Sequence, residues 1–211
     1  MTYLRVVRDF LPPDELAAMR GAIVAQSHRF KPVGAKGGMN LPYSVLNGRE
    51  LREHFPALAA FAAGPMLAVA QELAGEPLKL MDDRKRDMRL QWYRGKHEGF
   101  RWHLDGGLYG ALLTVTNDND GGTEMLTPRQ SRWLWPVPYV LYPFPRILEL
   151  AGPTPIPAGT GDLVVIRGGD IIHRGVIRKD CGDRILLAAS FDPVGRVRPR
   201  AWDALARWLN Y

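Results

Sequence analysis

Apolar and polar positions change their rhythm near the middle of the chain. In the first third the apolar residues recur every three or four positions. Leu16, Met19, Ile23 and Val24 fall on one side of a helix predicted over Pro13–Ala25. Asp14 and Glu15 open that helix, where acidic side chains suit the helix dipole. Helices are also predicted over Arg49–Glu53 and Pro56–Ala74, the last closed by Gly75. A short strand over Tyr3–Phe10 precedes them, and the Gly- and Pro-rich stretch Lys31–Tyr43 reads as a loop. After Leu78 the period drops to two. Met88–Arg94, Phe100–Leu104, Leu108–Thr116, Thr123–Leu126, Asp162–Ile166, Ile171–Ile177 and Arg184–Phe191 are short runs separated by Gly, Asn and Asp, as in an antiparallel sandwich or barrel. Ala201–Leu209 reads as a closing helix. The expectation is one domain over 1–211: mostly helical support to residue 80, a β core over 81–195, and a terminal helix over 196–211.

One segment departs from this texture. Arg132–Pro157 carries Trp133, Trp135, Tyr139, Tyr142 and Phe144 among prolines that forbid a central strand. It reads either as a lid over a site or as an aromatic loop pinned to the core.

Composition narrows the class. Of 211 residues 46% are hydrophobic and 24% charged, an ordinary globular balance. The apolar stretch around Phe55–Gln71 is broken by Pro56, Gly64 and Pro65 and reads as too short to cross a bilayer. Cys181 is the single cysteine, which excludes an internal disulfide and a cysteine-built zinc site. With no apolar run at the N-terminus, the expected location is the cytoplasm. The net charge of +6 comes from scattered residues, and Arg84-Lys85-Arg86 is flanked by Asp82, Asp83 and Asp87. That is a solvated basic face, and it argues against nucleic acid as a partner.

The chemistry rests on few residues. Of five histidines, His28 and His54 fall in the helical part and His97 in a Gly-flanked turn. His103-Leu104-Asp105 places an imidazole and a carboxylate two residues apart, on one side of a strand. Alone, that is equally a hydrogen-bonded pair at a strand end. His173 follows another strand and the Gly168-Gly169 turn. Two histidines and one carboxylate on one face of a metal leave positions open, as in non-haem Fe(II) oxygenases. Arg184 opens the strand after His173, which is expected to run beside it. There a guanidinium could hold the far carboxylate of a chelating dicarboxylate. If it points outward it is a surface arginine; if inward, it needs an anionic partner.

The ordered set Tyr93-Arg94-Gly95, His103-Leu104-Asp105, Asn117-Asp118, Gly121-Gly122-Thr123-Glu124, Gly161-Asp162-Leu163-Val164-Val165-Ile166, His173 and Arg184 resembles the Fe(II)/2-oxoglutarate-dependent dioxygenases. Within them it is most similar to the prolyl-4-hydroxylase-like branch, whose N-terminal strand-to-helix entry Phe10-Leu11-Pro12-Pro13-Asp14-Glu15-Leu16 also resembles. The resemblance implies an α+β, mainly β fold: a double-stranded β-helix (jelly-roll, cupin-like) core with N-terminal supporting helices. It implies His103, Asp105 and His173 as iron ligands and Arg184 as the residue binding the C5 carboxylate of 2-oxoglutarate. It gives Tyr93, and Thr114 from the next strand, as further co-substrate contacts. It implies Fe(II), 2-oxoglutarate and O₂ as the reacting set, with succinate and CO₂ released as an unactivated C–H is hydroxylated. Desaturation and ring closure start from the same reagents. The intact Asp105 argues against the halogenase variants, which lack that carboxylate. A small molecule or natural-product intermediate is the expected substrate. The alternatives are a peptidyl, prolyl-type hydroxylase, a non-catalytic β-barrel ligand-binding module, and a cofactor-free cupin oxygenase, which more often uses three or four histidines. Arg132–Pro157 has no counterpart in the family core.

Overall fold

In a computed structural model the described residues are 2–33, 42–95, 98–135, 137 and 146–197. The expected helix over Ala201–Leu209 and His97 lie outside them. In chain order the elements are β1 (Leu4–Val7), α1 (Pro13–Ala25), a 3-10 turn (Ser27–Arg29), β2 (Lys31–Val33), β3 (Tyr43–Asn47), α2 (Gly48–His54), α3 (Pro56–Phe61), a π turn (Ala62–Met66), α4 (Leu67–Ala74) and β4 (Leu78–Leu80). There follow β5 (Met88–Tyr93), β6 (Phe100–His103), β7 (Tyr109–Asn117), β8 (Gly122–Met125), α5 (Pro128–Leu134), α6 (Arg146–Leu150), β9 (Thr154–Ile156), β10 (Leu163–Ile166), β11 (His173–Val176) and β12 (Arg184–Pro193).

Local chemistry accounts for the helix ends. Pro13 starts α1 with no donor to lose. Asn47 and Glu50 form a reciprocal capping box on α2, as Thr127 and Gln130 do on α5. Gly75 closes α4 at φ 68°, a left-handed conformation that costs glycine nothing. The expected single helix over Pro56–Ala74 is interrupted by the π turn, because Pro65 offers no N–H to the ladder. By length and composition alone these 19 residues, with mean hydropathy 1.4, suffice for a membrane crossing, contrary to the shorter reading above. Their buried side chains Leu58, Ala59, Ala62, Met66, Val69 and Ala70 instead belong to the core.

The described strands form two antiparallel sheets. The larger runs β1-β10-β7-β12-β5-β3-β2, with β4 added beside β12, and the smaller runs β6-β11-β8-β9. Lys31–Tyr43 is therefore not wholly loop: β2 lies in it and pairs antiparallel with β3, which begins at Tyr43. Pro32 is tolerated because an edge strand leaves one row of donors unpaired.

The larger sheet has two unlike faces. Along β12, Ile185, Leu187, Ala189 and Phe191 enter one core with Leu16, Ile23, Leu51 and Met66 of the helices. The intervening Arg184, Leu186, Ala188 and Ser190 line a cavity on the opposite side. Strand β5 repeats this, with Met88, Leu90 and Trp92 towards the helices and Arg89, Gln91 and Tyr93 towards the cavity. The helices thus seal one face, and the other is left to face the smaller sheet.

The described part of 132–157 is more ordered than a loop. It contains the end of α5, all of α6 and β9, at the edge of the described strands, whose Pro155 lies opposite Glu124. Leu134, Val137 and Leu148 pack with Trp102 of β6 and with Leu126 and Ile172, which flank β8 and β11. None of its described residues lines the cavity, while Trp133 and Trp135 are exposed. The described part is therefore a buttress; residues 136 and 138–145 lie outside the description.

Candidate functional site

His103 ends β6, Asp105 follows by two residues, and His173 begins β11. The two histidines are direct cross-strand partners, and their ring centroids are 4.2 Å apart. Asp105 Oδ1 lies 3.3 Å from His103 Nε2 and 3.6 Å from His173 Nε2. One donor atom from each of the three falls within 4.8 Å of the others, so all three can hold one ion.

Both imidazoles are oriented the same way. His103 Nδ1 is 2.7 Å from the Arg101 carbonyl and His173 Nδ1 is 2.8 Å from the Ile171 carbonyl. A carbonyl only accepts, so each Nδ1 carries the proton and donates it. In the neutral ring each Nε2 is thereby the lone-pair atom, and both Nε2 atoms converge on one point with the Asp105 carboxylate. Such supporting bonds fix the tautomer that a metal needs.

Asp105 is held by what is missing around it. Its backbone N–H donates to the Gly168 carbonyl at 2.8 Å. A Cβ on Gly168 would lie 2.0 Å from Asp105 Oδ2, and one on Gly110 would lie 2.5 Å from it. Any side chain at either position would occupy the carboxylate's place. Burial pushes the Asp105 carboxyl up, but the two imidazoles outweigh it and hold it well below the usual carboxylate range. Burial and then His173 push His103 down, against the pull of Asp105. Burial also pushes His173 down, yet Asp105 wins and raises it. The convergence point therefore favours positive charge. Two neutral imidazoles and a carboxylate, open to a cavity on one side, suit a divalent first-row metal with free coordination positions.

Arg184 shares that cavity. It is 4% exposed. It does not lie beside His173 as expected: β12 pairs with β7 and β5 in the larger sheet, while β11 belongs to the smaller one. The Lys179–Asp183 turn carries the chain from one sheet to the other. Arg184 thus faces β11 across the cavity, and its Nη1 is 3.6 Å from where a Cβ of Gly175 would stand. Gly175 is two residues along β11 from His173, about 7 Å at the rise of a strand. Nη1 donates to the Gly122 carbonyl at 3.0 Å, while Nε is buried with no hydrogen-bond partner among the described residues. No carboxylate pairs with Arg184 among the described residues. Burial lowers its pKa to about 10, with Tyr93 opposing and Arg178 adding to the shift. A buried guanidinium with spare donors is a site for an anion.

Tyr93 is 1% exposed, lines the cavity and stacks on Tyr43 at 5.5 Å. The Arg184 guanidinium carbon sits 6.0 Å from its ring centroid. Burial raises the Tyr93 phenol, helped by Tyr43 and opposed by Arg184, so it stays protonated as a donor. Thr114 does not line the cavity. It is buried in β7 opposite Leu186, its N–H donating to the Asp162 carbonyl and its own carbonyl accepting from Gly161. The Leu186 side chain forms the cavity wall at that level. His28 and His54 lie away from the cavity, as expected for helical-region residues.

Sequence reasoning missed several contributors. Gly110 and Gly168 shape the carboxylate's niche, and only the second carried a signal, as half of a Gly-Gly turn. Asn119 is fully buried and ties three chain segments together. Its amide donates to the Tyr93 and Gly182 carbonyls, and its oxygen accepts from the Gly121 N–H. Gly121 in turn leaves room for Arg184, whose Cδ would be 2.3 Å from a Cβ there.

No family model matches this chain, and no curated protein does. Solved structures do. The epimerase SnoN in complex with Fe3+, alpha ketoglutarate and nogalamycin RO matches with a TM-score of 0.68 at 16% identity, over 97% of this chain and 84% of that one. HygX from Streptomyces hygroscopicus with nickel, 2-oxoglutarate and hygromycin B bound matches with a TM-score of 0.59 at 15% identity, over 94% and 86%. A Pseudomonas putida prolyl-4-hydroxylase matches with a TM-score of 0.56 at 14% identity, over 94% and 95%. The chain shares the fold of these proteins.

Proposed function

We propose that this chain is an Fe(II)- and 2-oxoglutarate-dependent oxygenase that oxidises an unactivated C–H of a small molecule. Residues 1–211 would form one domain, and the two sheets would be the two walls of a double-stranded β-helix. The observation that carries this reading is a pairing within one cavity. A His-Asp-His cluster with both imidazoles pre-oriented faces a buried arginine that no carboxylate of the described chain neutralises.

The residues present fit the implied groups. His103 Nε2, His173 Nε2 and an Asp105 oxygen would hold iron, leaving positions for the keto acid and O₂. When bound, iron with 2-oxoglutarate would let O₂ supply the oxidising power for C–H cleavage, one oxygen atom going to the product and the other to succinate as the keto acid loses CO₂. The chain's own part is positional. Arg184 would grip the C5 carboxylate with its spare N–H donors, and Tyr93 would donate its phenolic proton beside it. Thr114 would act only through the backbone of β7. The apolar wall of Leu186, Phe100 and Leu112 would limit water at the site. The Nδ1–H donors to Arg101 and Ile171 keep both imidazoles from turning away.

SnoN and HygX carry natural products in their complexes, which supports a small molecule rather than a peptide or nucleic acid as substrate. A cytoplasmic location is part of the proposal. Anaerobic addition of Fe(II) and 2-oxoglutarate should give a weak visible charge-transfer band and succinate once air is admitted. No band and no succinate would leave a ligand-binding module.

A further inference from the structure

Among the described residues the cavity wall carries four arginines, Arg86, Arg89, Arg174 and Arg184, and one acid, Asp105. Their positions differ. Arg174 turns towards Glu124 and Glu149, with contacts of 2.9 Å to each. Arg184 lies at one end of the cavity, level with Tyr93. Arg89 lies level with Ala188, four residues along β12 from Arg184, which is about 13 Å at the rise of a strand. Asp105 belongs to that second end. Its Oδ2 lies against Gly110, which pairs with Ser190, two residues beyond Ala188.

Arg86 is at the same end. It is 5% exposed, with Asp83 at 3.8 Å. Its Nη2 would be 2.4 Å from a Cβ at Gly106, the residue that follows Asp105. Glycine at 106 therefore leaves the place that this guanidinium occupies beside the metal cluster. Gln91 lies between the two ends, paired with Leu186, 7% exposed and lining the cavity. Its amide makes no hydrogen bond among the described residues. A keto acid anchored at Arg184 and reaching the metal leaves the Arg86–Arg89 end to the substrate.

We propose that this end is an oxyanion subsite, and that the substrate carries a carboxylate or phosphate seated on Arg86 and Arg89, with the Ser190 hydroxyl and Gln91 amide as neutral donors. This rests on the oxygenase reading, because it assumes that 2-oxoglutarate occupies the Arg184 end. A planar, always-charged fork suits carboxylate and phosphate alike. Anchoring the substrate by one charged group would hold a C–H at a set distance from the metal, since Asp105 and Arg86 abut through Gly106.

The test uses the full chain loaded with Ni(II) and saturating 2-oxoglutarate, titrated calorimetrically with benzoate, inorganic phosphate and, as a neutral control, benzamide. Benzoate or phosphate should bind at least tenfold more tightly than benzamide. Arg89→Gln, at a half-buried strand position, and Arg86→Gln should each weaken that anion at least tenfold, and Arg89→Lys should recover part of it. Arg184→Gln should instead lose 2-oxoglutarate. Failure of both anions to bind, or binding indifferent to Arg86→Gln and Arg89→Gln, would overturn the subsite. Should Arg86→Gln not fold, Arg89→Gln decides alone. If 2-oxoglutarate itself does not bind the wild-type chain, the oxygenase reading falls. The same anion titration without it, read in the same two variants, then decides the subsite separately.

Discussion

The two faces of the larger sheet are built from the same strands and do opposite work. Towards the helices, β5 and β12 present Met88, Leu90, Trp92, Ile185, Leu187, Ala189 and Phe191, all buried in one apolar cluster. One residue away in each strand, Arg89, Gln91, Tyr93 and Arg184 face the cavity. The first face is where burying apolar area stabilises the fold. The second carries desolvated polar groups that stability alone would not select. Binding should therefore respond to changes on one face, and stability to changes on the other.

The largest effect is expected at the metal cluster. His173→Ala should abolish succinate production in the presence of iron and 2-oxoglutarate, with the far-ultraviolet circular dichroism spectrum unchanged. Activity near wild type would break the assignment. On the helix-facing side, Leu187→Ala should cost about 2–5 kcal/mol in chemical denaturation. The 2-oxoglutarate affinity of the folded protein should be unaltered; a loss of affinity would mean that the faces are coupled. Arg184→Ala removes a buried charge-assisted contact, about 2–5 kcal/mol when the anion is left unpaired. The 2-oxoglutarate KM should rise about 30-fold or more, and Arg184→Lys should recover part of it. A change under about threefold would make Arg184 structural.

Gly168→Ala puts a methyl where Asp105 Oδ2 lies, so metal affinity should fall about 10- to 100-fold. A titration of Mn(II) by electron paramagnetic resonance reads this directly. The smallest effect concerns Asp162, whose side chain accepts from the Asp9 N–H at 3.0 Å and the Gly159 N–H at 2.8 Å and pairs with Arg8. Burial pushes this carboxyl up, but those contacts outweigh it and leave it lowered. A lowered folded pKa means the contribution is complete above the unfolded value near 4 and is lost as pH falls below it. Asp162→Asn should cost about 1 kcal/mol at neutral pH. The difference from wild type should shrink on acidification below about pH 4.

Local pattern carried much of this. The alternation in Arg184–Phe191 and Met88–Arg94 marked the two-faced strands. The acidic first turn at Asp14-Glu15 and the glycine at 75 marked helix ends. The members of the candidate cluster were readable because His103 and Asp105 stand two apart on an extended chain, and because histidine is scarce. The edge strands β2, β4 and β9 were not readable, since three-residue strands carry no period. The helix read over Pro56–Ala74 as one piece is interrupted at Ala62–Met66 by a π turn, because the period of Leu58, Met66 and Val69 reports the buried face and not the missing N–H of Pro65.

Chemistry that depends on residues close in sequence was determined by the sequence itself: the His-x-Asp spacing, the capping boxes, and the alternation that keeps Arg184 off the apolar face. Chemistry that depends on register between distant strands was decided only by the tertiary structure. The sequence did not place Arg184 across the cavity rather than beside His173, bring Gly110 and Gly168 against Asp105, or set Arg86 and Arg89 at the end opposite Arg184. Backbone hydrogen bonds between strands are nearly indifferent to which residues they join. The choice is made by the whole apolar face finding its core at once, and a shift of one residue would have turned every cavity-lining group toward the helices.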